Sequence, residues 1–291
     1  MNKIATPRLK MITSMAIFGT LSIFVRNISV SSGELALYRA VLAAILIALY
    51  LIITKQKIPF QNIKKEIPLL LASGVAMGFN WILLFEAYKY TTVSIATLSY
   101  YFAPVIVTIV CPILFKEKLT AKQLLCFIMS TIGLECITGI GSTNGTGNFK
   151  GILFGLGAAI LYATVILLNK FIKNVEGIHR TFLQFLSAIA VLIPYIMFTS
   201  GVTLGVLDSK GWINLLFVGL FHTGITYCMY FSSLKDLPGQ NAAILSYIDP
   251  LVALFISVTV FHEAMTMWQI IGGILILGFT LLNELTPKTK S

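Results

Sequence analysis

Apolar stretches of about 20 residues alternate with short polar stretches along the chain, and that length of helix crosses the hydrocarbon core of a bilayer. The pattern predicts ten membrane-spanning helices, at about 9–29, 33–53, 67–89, 94–115, 120–140, 150–171, 178–200, 211–234, 240–261 and 267–285. The predicted fold class is therefore an all-α integral membrane protein with ten transmembrane helices.

The region from Gly78 to Ile128 is repeated later in the chain. Without a gap, it aligns with a second region of equal length that runs from Gly224 to Ile274. Within it, the segment TLSYYFAPVIVTIVCPILFKEKLTAKQ is echoed by ILSYIDPLVALFISVTVFHEAMTMWQ. Internal repetition of this kind indicates two copies of one structural design.

The repeat divides the chain into a first half at 1–140, a polar linker at 141–149 and a second half at 150–291. Each half contains five predicted helices, so the second half must enter the membrane in the opposite sense to the first. Inverted repeats are a common plan among transporters, whose substrate site lies between the halves near the midplane. The first apolar run, AIFGTLSIFV, resembles the start of the sixth helix, AILYATVILL, so we interpret it as a helix and not as a signal peptide.

Composition and charge agree with a membrane protein. Apolar residues are 57% of the chain and charged residues 11%, whereas soluble domains carry about 25% charged residues. The net charge of +10 does not indicate nucleic acid here, because the basic residues lie between apolar segments and set the orientation. Placing both termini in the cytoplasm puts most of the 21 basic residues inside: Lys3, Arg8, Lys10, Lys55, Lys57, Lys64, Lys65, Lys116, Lys118, Lys122, Lys170, Lys173, Arg180, Lys235, Lys288 and Lys290.

Several of these features together resemble a known family. The ten helices in two halves, the pair Tyr38–Arg39, the segment YTTVSIATLSYYFAPV, and the glutamates in FKEKLTAKQ and FHEAMTMWQ are similar to the EamA branch of the drug/metabolite transporter superfamily. The resemblance covers nearly the whole chain. It implies a carrier of small metabolites in a bacterial inner membrane, often coupled to protons, and leaves the substrate open.

Asp249 is the strongest candidate for a site residue. It lies near the middle of the ninth predicted helix, directly before Pro250, and its first-half counterpart is Ala103. Ionisable residues inside a span usually face a cavity, a partner or a proton path. We favour a role in proton or cation binding over the alternative that the carboxylate only braces the proline kink. His222, about halfway along the eighth helix, could relay a proton with Asp249, although a lone histidine more often packs between helices.

Arg39, Glu86 and the helix-end glutamates each have a functional and a structural interpretation. Arg39 lies about two turns into the second helix and either holds a substrate carboxylate or neutralises Asp249 or Glu34. The family resemblance implies an arginine here in members with different substrates, which favours the structural role. Glu86 either attracts a cation or pairs with Lys89 three residues on. For Glu117 and Glu263, capping or packing is favoured over substrate contact.

Aromatic side chains crowd the same region. Among them Tyr101 and Tyr247, with Trp81, are predicted to line the cavity, since aromatic faces attract positive charge. Tyr101 stands three residues before Pro104, and Tyr247 three before Pro250. We expect the two prolines to be symmetric bend points, because proline removes a helical hydrogen bond.

The chain shows no motif for a cofactor, a metal or ATP. Its four cysteines lie in predicted spans without metal-ligand spacing, and no phosphate-binding loop or dinucleotide fingerprint is present. We therefore expect a secondary transporter without cofactors that works by alternating access, whose partners are a small metabolite, foremost an amino acid or an organic amine, together with lipid and protons. Alternatives are an exporter of drugs or organic cations, a membrane-embedded enzyme and a sensor that binds without transporting.

Overall fold

The computed structural model describes residues 5–56, 58, 63–115, 120–138, 146–175, 177–236 and 245–284, and this part of the chain is helical, without a strand. The helices are α1 (Ala5–Gly19), α2 (Leu21–Val25), α3 (Ser32–Ile53), α4 (Ile67–Tyr90), α5 (Val93–Tyr100), α6 (Ala103–Phe115), α7 (Ala121–Thr138), α8 (Thr146–Phe171), α9 (Gly177–Phe198), α10 (Ser209–Leu216), a π segment (Phe217–Ile225), α11 (Thr226–Asp236), α12 (Ile248–Thr259) and α13 (Met267–Glu284). Short 3-10 turns lie at Lys64–Glu66 and Leu204–Val206.

Six helical stretches of the described chain are long and apolar enough to cross a membrane. They are Pro7–Val25, Ser32–Ile53, Lys64–Tyr90, Phe149–Phe171, Gly177–Phe198 and Ser209–Tyr230. Shorter apolar helices lie at Val93–Val107, Ile248–Thr259 and Met267–Leu282. The all-α membrane fold is therefore confirmed, while the count of ten spans stays a prediction.

Side-chain caps set where several helices begin. At α3, the Ser31 hydroxyl accepts from the Glu34 backbone N–H and the Glu34 carboxylate accepts from Ser31, which forms a capping box. Thr92 caps α5, and the Asp208 carboxylate caps α10 by accepting from the backbone N–H of Gly211 at 2.7 Å. These polar residues supply acceptors for N–H groups that have no partner within the helix.

The structure differs from the predicted helices where the backbone departs from regular α-helix. The first predicted helix is interrupted at Thr20, and the fourth at Tyr101–Phe102. The eighth contains the nine-residue π segment. Of the predicted linker at 141–149, residues 141–145 lie outside the described residues, and from Thr146 the chain is already helical.

Helices from the two predicted halves interleave. The most extensive contacts join α4 with α8, α7 with α13, and α9 with both α4 and α3. The largest buried apolar cluster is shared by α3, α4, α9 and the segment around α10, with Phe85 and Phe185 among its fully buried side chains. Glycines allow backbones to approach closely, as where Gly19 of α1 faces the Asp249 carbonyl of α12.

We expect Gly74→Ala to destabilise the protein by about 1–3 kcal/mol, the usual cost of overpacking. A Cβ at Gly74 would collide with the backbone carbonyl of Gln184, so α4 and α9 would have to separate. The matched control is Gly278→Ala in α13, where a new Cβ meets nothing within 4 Å. Thermal unfolding in detergent should show a lower midpoint for the first variant alone; equal midpoints would contradict the close contact.

Candidate functional site

Tyr101 and Asp249 meet where two helices are interrupted. The Tyr101 hydroxyl donates to Oδ2 of Asp249 at 2.6 Å. Tyr101 lies in the turn between α5 and α6, and Asp249 lies in the first turn of α12, directly after the turn at Tyr247. The N-terminal end of a helix favours a negative charge, so the backbone helps to hold the carboxylate there. Asp249 forms no ion pair with a Lys or Arg of the described chain.

Arg39 is a buried cation that has no carboxylate partner in the described part of the chain. Its side chain is 3% exposed, and its Nε donates to the Thr223 hydroxyl at 3.1 Å. The guanidinium carbon lies 4.4 Å from the ring centre of Trp81 and 5.4 Å from that of Phe85. Its two terminal nitrogens have no hydrogen-bond acceptor among the described residues. The structure therefore does not show the predicted ion pair with Asp249 or with Glu34.

The carboxylate of Glu34 is occupied elsewhere. It accepts from the Tyr38 hydroxyl at 3.0 Å, from the Thr203 hydroxyl at 2.7 Å and from backbone N–H groups of Ser31 and Thr203. Glu34 is fully buried and joins the start of α3 to the loop before α10. Its role in the described structure is to fasten these two segments.

Several tyrosines lie near the two opposite charges. Three of them, Tyr88, Tyr100 and Tyr227, lie within electrostatic range of both Arg39 and Asp249. All three are partly exposed. Tyr100 also stacks on Tyr162, with ring centres 5.2 Å apart. The surroundings of the two charges are thus rich in aromatic rings that carry hydroxyl groups.

His222 lies in the π segment and contacts Thr20 and Phe24. It is 1% exposed, and its Nε2 is 2.9 Å from the Thr20 hydroxyl, which itself donates to the Ile17 carbonyl. Since that hydroxyl has one hydrogen, His222 must donate through Nε2–H, and its Nδ1 then remains a buried acceptor without a partner in the described chain. The structure places no hydrogen bond between His222 and Asp249.

The other predicted site residues make different contacts. Trp81 is 5% exposed and supports the Arg39 guanidinium, and Tyr247, two residues before Asp249, is 9% exposed. Pro104 follows the interruption at Tyr101–Phe102, and Pro250 follows the turn at Tyr247. Glu86 instead pairs with Lys89 at 3.0 Å near the end of α4, which is the local salt bridge that its spacing allows.

A polar cluster at the far end of α12 was only partly expected. We define the Glu263 cluster as Arg26, Val93, Ser94, Ser257 and Glu263. The Glu263 carboxylate accepts from Arg26 at 2.5 Å, from the Val93 backbone N–H at 2.9 Å and from the Ser257 hydroxyl at 2.5 Å. The Ser94 hydroxyl donates to Ser257 at 2.5 Å. The Glu263 carboxylate thus joins the ends of α2 and α12 to the start of α5, which is the predicted capping role. Glu117, the counterpart of Glu263 in the first half, lies outside the described residues.

Thr223 is a site residue that sequence reasoning missed. Threonine in an apolar helix commonly bonds a carbonyl of its own helix, so its type gave no sign of a contact with Arg39.

Among the described residues, no group of three or more His, Cys, Asp or Glu side chains is placed to hold a metal ion.

Comparison with known proteins identifies the family. The chain matches the EamA-like transporter family over residues 8–139 and again over 149–284. It is 31% identical to the uncharacterized transporter YxxF of Bacillus subtilis strain 168, over 99% of this chain and 92% of that protein. It is also 28% identical to an uncharacterized transporter of Archaeoglobus fulgidus, over 93% of each chain. A solved crystal structure with 14% sequence identity has the same fold, with a TM-score of 0.66 over 96% of this chain and 97% of its own. The chain therefore belongs to the EamA-like transporter family, as a membrane transporter of small molecules and not an enzyme.

Proposed function

We propose that this protein is a secondary transporter whose substrate is a small metabolite with an ammonium group, and that an amino acid fits best. The observation that carries the proposal is the pair of opposite charges, the buried Arg39 and the half-buried Asp249, which bond other groups and not each other. Tyr88, Tyr100 and Tyr227 lie within range of both. A ligand that carries one positive and one negative charge would pair with both Asp249 and Arg39.

Each end suits one group of an amino acid. The carboxylate of Asp249 and the faces of the surrounding tyrosines attract an ammonium group. The terminal nitrogens of Arg39 are donors in a planar fork that matches a carboxylate. Burial makes each contact stronger than it would be in water, because the local dielectric constant is low.

An organic amine is the second candidate, which includes export of drug-like organic cations. Such a ligand needs only the acid and the aromatic rings, and both are present around Asp249 and Tyr101. It would leave the terminal nitrogens of Arg39 without an acceptor. For this reason we place the amine after the amino acid.

Asp249 is also our candidate for coupling to protons. A carboxylate inside a membrane span is costly when charged and without a cation, so it tends to gain a proton or a positively charged ligand. In the described chain Asp249 has a hydroxyl partner, Tyr101, but no cation. Alternate binding of a proton and an ammonium group at one carboxylate would couple their movements.

Alternating access between two inverted five-helix repeats is the proposed mechanism. Exchanging the two halves turns the contact of α4 with α8 into that of α11 with α1, and the contact of α6 with α8 into that of α12 with α1. All four contacts are present, which supports a two-fold relation between residues 1–140 and 150–291. Tyr101 and Asp249 then lie at the equivalent interruptions of the two halves, where Pro104 and Pro250 would act as hinges.

The proposed location is the inner membrane of a bacterium, with both termini in the cytoplasm. Its support is the distribution of basic residues, most of which fall on one side of the predicted helices. Arg26, Val93 and Glu263 then lie on the outer side, so the Glu263 cluster would close the outer end of the cavity.

The test of the proposed function is a ligand screen followed by flux measurement. The 20 standard amino acids, their decarboxylated amines, nucleobases and sugars are each added to the purified protein, and its unfolding temperature is measured. A ligand that binds only the folded state at 100 times its Kd adds about 2.7 kcal/mol of stability. Stabilisation by an amino acid and its uptake into proteoliposomes support the proposal. Stabilisation without uptake indicates a sensor, and stabilisation by nucleobases or sugars alone overturns the substrate class.

A further inference from the structure

The contact between Arg39 and Thr223 has a fixed direction. Arg39 Nε donates to the Thr223 hydroxyl at 3.1 Å, and that hydroxyl donates to the Val218 carbonyl at 2.8 Å. Arg39 has only donors, so the Thr223 hydroxyl accepts from Nε and gives its single hydrogen to the Val218 carbonyl. Arg39 and Thr223 are both buried, at 3% and 0% exposure, so water does not compete for these bonds.

The π segment determines where the Thr223 hydroxyl lies. Its bond runs to the carbonyl five residues earlier, whereas a threonine in a regular α-helix reaches back three or four residues. π-Helical turns are rare and occur frequently at functional sites. In this chain the π segment packs directly against α3, the helix that carries Arg39.

Two independent contacts therefore fix the orientation of the Arg39 guanidinium. The ring of Trp81, 4.4 Å from the guanidinium carbon, supports its flat face, and Thr223 holds Nε at one edge. The guanidinium is planar, so the positions of its face and its Nε together determine those of the two terminal nitrogens. These nitrogens have no acceptor among the described residues.

We propose that Thr223 is a positioning residue that holds the guanidinium of Arg39 for the carboxylate of a zwitterionic substrate. The inference rests on the proposed function, because it requires a carboxylate to bind Arg39. Thr223 itself does not touch the substrate; it acts through Arg39. It would therefore contribute to the choice of an amino acid over the corresponding amine.

The π segment has a matched control close by. The Thr226 hydroxyl donates to the Phe221 carbonyl at 2.8 Å, again five residues earlier, and Thr226 is also 0% exposed. The described structure shows no hydrogen bond between Thr226, the first residue of α11, and Arg39. Replacing either threonine by valine removes a hydrogen bond to a carbonyl of the π segment, and only Thr223→Val also removes the acceptor for Arg39.

The experiment compares Thr223→Val, Thr223→Ser and Thr226→Val in the full-length protein. The probes are the amino acid that stabilises the wild type most among the standard 20, and its decarboxylated amine. We expect Thr223→Val to weaken amino acid binding about tenfold or more, since hydrogen bonds to charged groups are strong, and to change amine binding less than about twofold. Thr223→Ser should restore amino acid binding, and Thr226→Val should leave both affinities unchanged.

Two results would overturn the inference. Equal weakening of both probes by Thr223→Val would show a general structural role, and no weakening of either would show that Arg39 does not need this contact. Arg39→Gln separates the inference from the function on which it rests. If Arg39→Gln abolishes the preference for the amino acid and Thr223→Val does not, the carboxylate site stands and only the role of Thr223 fails. If Arg39→Gln leaves the preference intact, both fail.

Discussion

Asp249→Asn is expected to reduce proton-driven uptake by at least about a hundredfold while leaving the fold intact. The Tyr101 hydroxyl still finds an oxygen acceptor in the asparagine amide, so the contact between α5 and α12 is retained. The variant loses the negative charge that would bind a proton or an ammonium group. Losing one partner of a buried ion pair costs about 3–5 kcal/mol, and each 1.4 kcal/mol is a factor of ten in affinity.

The measurement is uptake into proteoliposomes with and without an imposed pH gradient. The matched control is Asp208→Asn, which changes an exposed carboxylate that caps α10 in the same protein. Thermal unfolding without ligand should give similar midpoints for the wild type and Asp249→Asn. Full activity of Asp249→Asn would exclude Asp249 as the coupling or substrate site and leave its hydrogen bond to Tyr101 as its role.

Glu263→Gln should open one end of the cavity. The Glu263 carboxylate joins Arg26, Val93 and Ser257, and these contacts close the interface of α5 and α12 on the side away from Tyr101 and Asp249. Glutamine has no charge for Arg26 and only one acceptor oxygen, so at least one of these contacts is lost. We expect the population with this end open to rise about tenfold, which corresponds to about 1.4 kcal/mol.

A cysteine at Thr97 can report the opening. Thr97 is 3% exposed and lies one turn before Tyr101 in α5, between the Glu263 cluster and Asp249. In a background without the native cysteines, Thr97→Cys should react about ten times faster with a membrane-impermeant thiol reagent when Glu263→Gln is present. The control is Lys89→Gln, which breaks only an exposed ion pair of small expected energy. Equal rates with and without Glu263→Gln would contradict a gating role for the cluster.

Much of the helical fold could be predicted from the length of the apolar stretches. The stretch predicted at 67–89 is α4, Ile67–Tyr90, and that at 33–53 is α3, Ser32–Ile53. The interruptions at Thr20 and Tyr101–Phe102 and the π segment could not be read from the same pattern. An apolar span keeps the same hydropathy whether its hydrogen bonds reach four residues or five, so only packing reveals the difference.

The site could be predicted only where a residue is unusual for a membrane interior. Asp249 and Arg39 stood out because charges are costly there, and the repeat pointed to Tyr101 through its match with Tyr247. Whether Arg39 pairs with Asp249 depended on side-chain direction, which spacing along one helix does not determine. Thr223 was missed because its partner lies far along the chain on another helix.

Glycine contacts divide the helix interfaces into close and loose ones. At Gly19 the backbone of α1 meets that of α12, and at Gly155 α8 lies against Ser99 of α5, each too closely for another side-chain atom. Between α5 and α12 the hydrogen bonds are made by side chains, Tyr101 with Asp249 and Ser94 with Ser257. In a rigid-body motion, α1 would therefore stay packed on α12, and α5 would stay packed on α8. The interface that separates would be the one between α5 and α12. Each moving bundle then contains helices from both predicted halves, so in the proposed alternating access each repeat would contribute helices to both bundles.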